Sequence, residues 1–353
     1  MNCAICNKPA RLICHGFPGY IEGTVFDIAE CDVCDSSFSS KCNNLGFIYE
    51  AIYSHATTLQ GYSRYAFYAG QVLRERDPLL FLAESEECYW TVAQLVDHWV
   101  HRNGRKPRIL EIGCGYGYIT YALRRCGYEA TGVDISKKAV RQARDSYGDF
   151  FQCCDVLELA ENNTEMWDII VMTELIEHIE DPTTFVTRLA KLLRAGGIII
   201  VSTPNKAQAT PEAIWETELP PVHFWWFTEA SMRTIGKHAG LRYESVDLSE
   251  YYRKYRKLTE SYKKNRGRRL NLEGAIARDG ITLPSSILRF DGTPRRIEVI
   301  STRLRLKRKC ESIFRYFGMS CWLHFVEWKL RGLEKHRHYG KSGPCLCGFY
   351  SKQ

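Results

Sequence analysis

The chain of 353 residues predicts an α/β protein organised on a doubly wound, mostly parallel sheet. Three observations carry that expectation. Between residues 106 and 248, short β-rich runs alternate with helical patterns, the order that a parallel sheet with crossover helices produces. The runs are continuously apolar instead of alternating, which suits strands covered on both faces. A glycine-rich turn, Gly113-Cys114-Gly115-Tyr116-Gly117, stands between the first run and the first helical segment.

The elements follow in order. Strands are expected at 108–112, 130–134, 149–153, 167–172 and 197–202, with helices at 118–125, 137–146 and 182–194. Ahead of this core, residues 1–45 form a small cysteine-rich unit. Residues 46–105 look like a helical, aromatic lid or linker, with Tyr49, Tyr53, Tyr62, Tyr65, Tyr68, Tyr89 and Trp90. Residues 249–353 form a basic C-terminal extension, read as helical.

The apolar fraction of 45% is enough to bury a sizeable core. No uninterrupted apolar run approaches the roughly 18 residues that a membrane-spanning helix requires. The first residues lack a basic head and an apolar stretch, so a secretory signal is not expected and the expected compartment is the cytoplasm. Fifteen cysteines without an export signal point to metal binding before disulfides. The net charge of +7 is unevenly spread: residues 251–341 hold 24 Lys and Arg against 8 Asp and Glu, so the body is acidic. A basic tail suits an anionic partner, or simply a solvated face.

Glycines at 113, 115 and 117 let the backbone turn tightly and approach a ligand, and the helix that follows offers free N–H groups. A dinucleotide site would instead show G-x-G-x-x-G. Glu111, two residues before the first glycine, would repel a pyrophosphate but suits the sulfonium and amino group of S-adenosylmethionine. Asp134, at the end of the second strand, can accept from both ribose hydroxyls. Asp155, after the third, can accept from the adenine amino group. Cys114, Ile135, Val156 and Thr173 complete the expected cofactor shell.

With the stretches ILEIGCGYGY, TGVDIS, CCDV, WDIIVMTELIEHIEDP and LLRAGGIIIVSTPN, residues 105–245 resemble class I methyltransferases. The resemblance implies a sheet of the seven-stranded type, S-adenosylmethionine as cofactor, and methyl transfer by direct displacement, which depends on alignment more than on covalent catalysis.

Glu174, Glu177 and His178 would share one helical face after the central strand, and His223 follows further on. Two carboxylates and two imidazoles suit one divalent ion, Mg²⁺ or Mn²⁺. This E-x-x-E-H pattern resembles the small-RNA 3′-terminal 2′-O-methyltransferases, in which the ion holds substrate hydroxyls and lowers the pKa of the attacking one. Ubiquinone-pathway O-methyltransferases look similar here. The same E-H pair also occurs in the class without a metal, where the histidine acts as general base or packs beneath the cofactor. Glu177, His178 and His223 are the expected catalytic residues.

Cys3, Cys6, Cys31 and Cys34 form two C-x-x-C knuckles 24 residues apart, the spacing of a structural zinc site. A unit of about 40 residues buries too little core to fold alone, so the metal would supply folding energy. Cys14, His15 and Cys42 stand nearby as spares. A four-cysteine ribbon ahead of such a core resembles deoxysugar C-methyltransferases, though the chain departs from them after residue 245.

The aromatics of the linker, and Trp225, Trp226 and Phe227 beside His223, either wall an acceptor pocket or pack as core. In the tail, basic residues at 303–309 precede aromatics at 314–328. This pattern fits a helix docked on the core, an anionic membrane face, or a phosphate backbone. Cys345-x-Cys347 is too short for a zinc knuckle. The sequence therefore favours an O-methyltransferase of a small molecule or glycan precursor. An RNA methyltransferase and a non-catalytic module that keeps the cofactor fold are the alternatives.

Overall fold

A computed structural model describes residues 1–40, 46–56, 62–207, 219–255, 258–259, 336–337 and 343–352. The cysteine-rich unit is a meander of β1 (Arg11–Pro18), β2 (Val25–Cys31) and β3 (Ser36–Ser39), all antiparallel. Helices α1 (Gly46–His55), α2 (Ser63–Gln71), α3 (Pro78–Ser85) and α4 (Glu87–Asn103) follow. Proline at its first position and the Asp77 carboxylate, which accepts from Leu80 N at 3.0 Å, start α3. Gly104 ends α4 in the left-handed region.

The core then alternates as the sequence implies. Its elements are β4 (Arg108–Ile112), α5 (Tyr118–Arg125), β5 (Glu129–Asp134), α6 (Lys137–Tyr147), β6 (Phe151–Cys153), α7 (Val156–Asn162), β7 (Trp167–Thr173), α8 (Pro182–Leu192) and β8 (Leu193–Pro204). After β9 (Trp225–Trp226) come a helix at Glu229–His238, β10 (Leu241–Ser245) and a helix at Ser249–Tyr255. The short β11 (Leu258–Thr259) pairs with β12 (His336–Arg337), and β13 (Cys345–Lys352) is last. Polar caps start α6, α7 and α8 through Ser136, Asp155 and Asp181, each accepting a backbone N–H of the first turn.

The large sheet runs β10-β13-β8-β7-β4-β5-β6. Strands β8, β7, β4, β5 and β6 are parallel, and β13 is antiparallel to both β8 and β10. Six of the seven residues of β7 are buried, as its unbroken apolar run implies for a strand covered on both faces. The chain winds outward from β4 to β6, then returns to β7 and winds the other way. The order therefore reverses between β4 and β7, and the crevice of an open α/β sheet lies at that reversal, beyond the carboxyl ends of the strands.

Two boundaries expected from the sequence change. The core does not end at residue 248, because β13 fills the sheet between β8 and β10, with Leu346, Cys347 and Tyr350 buried. Its eight residues lie far along the chain from their partners, so no local pattern links them. The end of the basic extension is thus a strand of the core and not helix. The cysteine-rich unit is likewise not closed within 1–45, since β3 pairs with β9. The basic and aromatic stretches at 303–309 and 314–328, on which the docking, membrane and nucleic-acid readings rested, lie outside the described residues. Among the described residues no helix is long and apolar enough to cross a membrane.

Tyr350 is fully buried and its hydroxyl donates to the Met232 carbonyl at 3.1 Å. Tyr350→Ala should cost about 3–5 kcal/mol, as for other large buried aromatics. Denaturant unfolding of the full chain reads this directly, and a loss below about 1 kcal/mol would mean that β13 does not belong to the core.

Candidate functional site

The turn after β4 is shaped by its glycines. Gly113 and Gly117 have φ of 70° and 78°, in the left-handed region. A Cβ on Gly117 would stand 2.5 Å from the Phe151 ring, and one on Gly113 would stand 2.9 Å from the Leu175 side chain. The turn is held from below, with Gly113 N and Cys114 N donating to the Val133 carbonyl at 2.9 and 3.0 Å. Asp134 holds it from the side: one carboxylate oxygen accepts from Gly115 N at 2.9 Å and the other from Ser136 N at 2.8 Å. Each oxygen keeps a further acceptor position, the capacity that a ribose diol requires. Burial raises the Asp134 pKa, against the pull of these backbone bonds.

Glu111 also holds the turn. It is buried beneath the turn, where one carboxylate oxygen accepts from Thr120 N at 2.8 Å and from the Thr120 hydroxyl. Gly117 offers α5 no side-chain cap, so Glu111 satisfies a first-turn N–H from the adjoining strand. It supports the loop through these bonds. Burial pushes its carboxyl up to about 8, despite the Thr120 bonds that pull it down. Asp155 stands at its strand end but is engaged as the cap of α7, accepting from Leu157 N at 2.8 Å. Val156 and Cys114 are buried, Thr173 ends β7, and Ile135 leaves an apolar side chain 66% exposed at the end of β5.

Helix α1 lies across this turn and brings residues the sequence did not place there. Glu50 accepts from the Ser136 hydroxyl at 3.3 Å. Tyr53 stands edge-on to Tyr116, its hydroxyl 3.3 Å from where a Cβ on Gly115 would be. Tyr49, one turn earlier, stands edge-on to His178 with ring centroids 6.2 Å apart. The only sequence signal was the tyrosine pair at i and i+4, which says that the two share a face but not what the face covers.

Across the crevice, the segment after β7 is not a regular helix. Glu174 has φ of 51°, and a single 3₁₀ turn, Ile176–His178, follows. Glu174 therefore leaves the face it was expected to share. Its carboxylate accepts from the Ser202 hydroxyl at 3.0 Å and the Cys345 thiol at 3.3 Å. Burial, with Glu177 second, pushes it up to about 7.

Glu177, His178 and His223 do converge, with one ligand atom from each within 4.8 Å of the others. The two rings meet edge to face at 4.6 Å. His178 Nδ1 lies against the Val222 carbonyl, which can only accept, so Nδ1 carries the proton and Nε2 keeps its lone pair. Nε2 is 3.9 Å from the nearer Glu177 oxygen. Among the described residues, neither Glu177 oxygen nor His223 Nδ1 has a hydrogen-bond partner, although all three are buried. Burial lowers both histidine pKa values, so the imidazoles are neutral at pH 7. It also pushes Glu177 up to about 8. Such a cluster is costly unless something binds it. It can accept a proton or ligate a divalent cation.

The cysteine quartet also assembles. One sulfur from each of Cys3, Cys6, Cys31 and Cys34 lies within 4.8 Å of the others, with Cys3 to Cys34 at 3.6 Å and Cys6 to Cys31 at 3.4 Å. A tetrahedral zinc with bonds of about 2.3 Å has sulfur edges of about 3.8 Å, so the four can hold one ion with little movement. Cys14 and His15 lie outside the quartet, with His15 paired to Asp27 at 2.9 Å; Cys42 is outside the described residues. Tyr89, Trp90, Trp225 and Trp226 are buried core, whereas Tyr62 and Tyr65 are half-buried.

Residues 88–246 match a family model described as a methyltransferase domain. The ubiquinone biosynthesis O-methyltransferase of Alkalilimnicola ehrlichii is 36% identical over 104 residues, 28% of this chain and 42% of its own length. That of Aromatoleum aromaticum is 34% identical over 115 residues, 31% of this chain and 49% of its own. The chain thus spans about half the length of the curated relatives it matches. Among solved structures, a SAM-dependent methyltransferase from Archaeoglobus fulgidus aligns with 73% of this chain and 94% of its own, at 13% identity and a TM-score of 0.41.

Because Glu111 ionises near pH 4.3 when unfolded and only near 8 when folded, it favours the folded chain most at acid pH. That contribution is lost as pH rises between those values. Glu111→Gln should therefore show a shallower fall in unfolding free energy from pH 5 to pH 8 than the parent chain. Identical slopes would mean that Glu111 is charged in the fold.

Proposed function

We propose that this chain, whose residues 88–246 match a methyltransferase-domain model, is a class I methyltransferase that transfers the methyl group of S-adenosylmethionine to a hydroxyl oxygen of a small-molecule acceptor. The observation that carries the reading is the pairing of two features at the strand reversal. The glycine turn and Asp134 lie on one side, the cluster Glu177, His178 and His223 on the other, and α1 touches both. O-methyltransferases among the relatives support oxygen as the acceptor atom.

In this reading the cofactor's amino-acid end meets the turn, its ribose meets Asp134, and its adenine lies between Ile135 and Asp155. The acceptor oxygen attacks the methyl carbon, the carbon–sulfur bond breaks, and its electron pair stays on sulfur, leaving S-adenosylhomocysteine. The hydroxyl proton goes to His178 Nε2, whose lone pair faces the cluster and whose lowered pKa keeps it neutral at pH 7. Alignment of oxygen, carbon and sulfur supplies much of the rate. In the alternative arrangement, with His178 Nε2 as a ligand instead of the base, the same three side chains would hold a divalent cation. Two imidazole nitrogens and one carboxylate favour a transition ion over Mg²⁺, which prefers oxygen ligands. When bound, such an ion polarises the acceptor hydroxyl. Cys3, Cys6, Cys31 and Cys34 hold a structural zinc, since four thiolates leave it no open position.

Two tests follow. Labelled S-adenosylmethionine incubated with the chain and a cell extract should pass its methyl group to the small-molecule fraction. Glu177→Gln, His178→Ala and His223→Ala should each slow that transfer by about 10²- to 10⁴-fold, with cofactor affinity unchanged. Transfer at the parent rate by all three would overturn the assignment of the acceptor site. A thiol reagent with a chelator should release one zinc per chain, and Cys31→Ser should lower the melting temperature. Purified chain that carries no zinc would end the second assignment.

A further inference from the structure

The cysteine-rich unit is joined to the acceptor cluster by a short backbone relay, and a buried lysine clamps the joint. Lys206 stands just past the end of β8, its side chain fully buried. Its ammonium lies 3.2 Å from a Glu30 oxygen, 3.2 Å from an Asp35 oxygen and 3.3 Å from the Asp35 carbonyl. Glu30 precedes Cys31 and Asp35 follows Cys34, so both acids flank the second cysteine knuckle. Glu30 is itself buried and also accepts from Arg11 at 3.1 Å. A buried ammonium with three acceptors is held, whereas the same pocket without it leaves acids short of their partner.

The segment between these bodies is pinned on both sides. Lys206 N donates to the Phe227 carbonyl at 2.9 Å, and the Thr228 hydroxyl donates to the Asp35 carbonyl at 3.1 Å. Strands β3 and β9 pair through Ser37 with Trp226 and Phe38 with Trp225. Ser39 N donates to the Phe224 carbonyl, and Phe224 N donates to the Glu177 carbonyl, both at 2.9 Å. Tyr20 N donates to the Pro220 carbonyl at 2.6 Å, and Val222 receives the His178 Nδ1 proton. His223 lies inside this run. Its backbone N–H donates to the Leu219 carbonyl at 3.2 Å, while its ring nitrogen Nδ1 has no partner among the described residues, so the ring is placed by the run that carries it.

We infer that Lys206 is a positioning residue: by clamping the second cysteine knuckle to the end of β8, it fixes the run 220–228 and so sets His223 and Glu177 in register for the acceptor. This rests on the acceptor reading of the cluster proposed above. The ion pair itself touches neither cofactor nor acceptor. Its effect travels through the β3–β9 pairing, and a shift of about 1 Å at a reacting group can slow a reaction by about 100-fold.

The test uses the full chain with its metal. Lys206→Met should slow labelled methyl transfer to the extract's small-molecule fraction by about 10- to 100-fold at saturating S-adenosylmethionine. Calorimetry should give cofactor affinity within about twofold of the parent, because the β4 turn and Asp134 are outside the relay. Ring signals of His223 in ¹⁵N-labelled protein should shift, and Lys206→Arg, which keeps the charge, should recover most of the rate. If Lys206→Met lowers the melting temperature but transfers methyl at the parent rate, with unmoved His223 signals, the clamp is structural only and the inference fails. Should that variant not fold, Asp35→Asn carries the test, since it leaves Glu30 and the Asp35 carbonyl in place: a several-fold slower rate supports the inference, and an unchanged rate overturns it. His223→Ala separates the two readings. If it too transfers at the parent rate, the acceptor site itself is wrongly placed; if it is slow while Lys206→Met is not, only the positioning role falls.

Discussion

The reversal of strand order between β4 and β7 is the constraint on which the rest depends. Two adjacent parallel strands send their following segments to opposite sides of the sheet, so no helix covers the gap between them. What fills it must come from loops, and both loops here carry polar groups. The turn after β4 can be tight because Gly113 and Gly117 accept left-handed backbone where a side chain would strike Leu175 or Phe151. The turn after β7 is tight because the chain passes through a left-handed Glu174 before one 3₁₀ turn. The sheet thus places the glycine turn and a cluster of one carboxyl and two imidazoles after neighbouring strands.

The electrostatics of this crevice run against comfortable folding. Glu111, Asp134, Glu174 and Glu177 are acids whose pKa values burial raises. The first three find donors in backbone or hydroxyl groups. Among the described residues, no hydrogen bond of good geometry reaches the Glu177 oxygens or His223 Nδ1. Each unpaired buried group costs about 1–3 kcal/mol. Part of that cost falls on Glu177 and His223, in the segments that follow β7 and precede β9. Groups of this kind cluster where a ligand completes them.

Much of this was legible in the sequence because it is local. The strand expected at 108–112 and the helix expected at 118–125 match β4 and α5 residue for residue. The glycines, Asp134 and the four cysteines lie where their spacing puts them, since each rests on a few neighbouring residues. Other features needed the tertiary fold. Glu111 read as a ligand group because its distance from Gly113 is visible, whereas the uncapped N-terminus of α5 that it serves is visible only in three dimensions. Glu174 read as part of the cluster because i, i+3 and i+4 share a face only if the segment is helical. The tertiary fold broke that condition through one positive φ. Strands β9 and β13 join sheets far from them in sequence, and two residues or an eight-residue run carry no signal of their partner.

The central claim is that a positively charged sulfur nucleoside lies on the β4 turn with its ribose on Asp134. Titration calorimetry of S-adenosylmethionine into the purified chain tests it most directly. One binding site per chain, lost in Asp134→Ala, is the result this account predicts. No heat with S-adenosylmethionine or S-adenosylhomocysteine, together with tight binding of NAD, would contradict it.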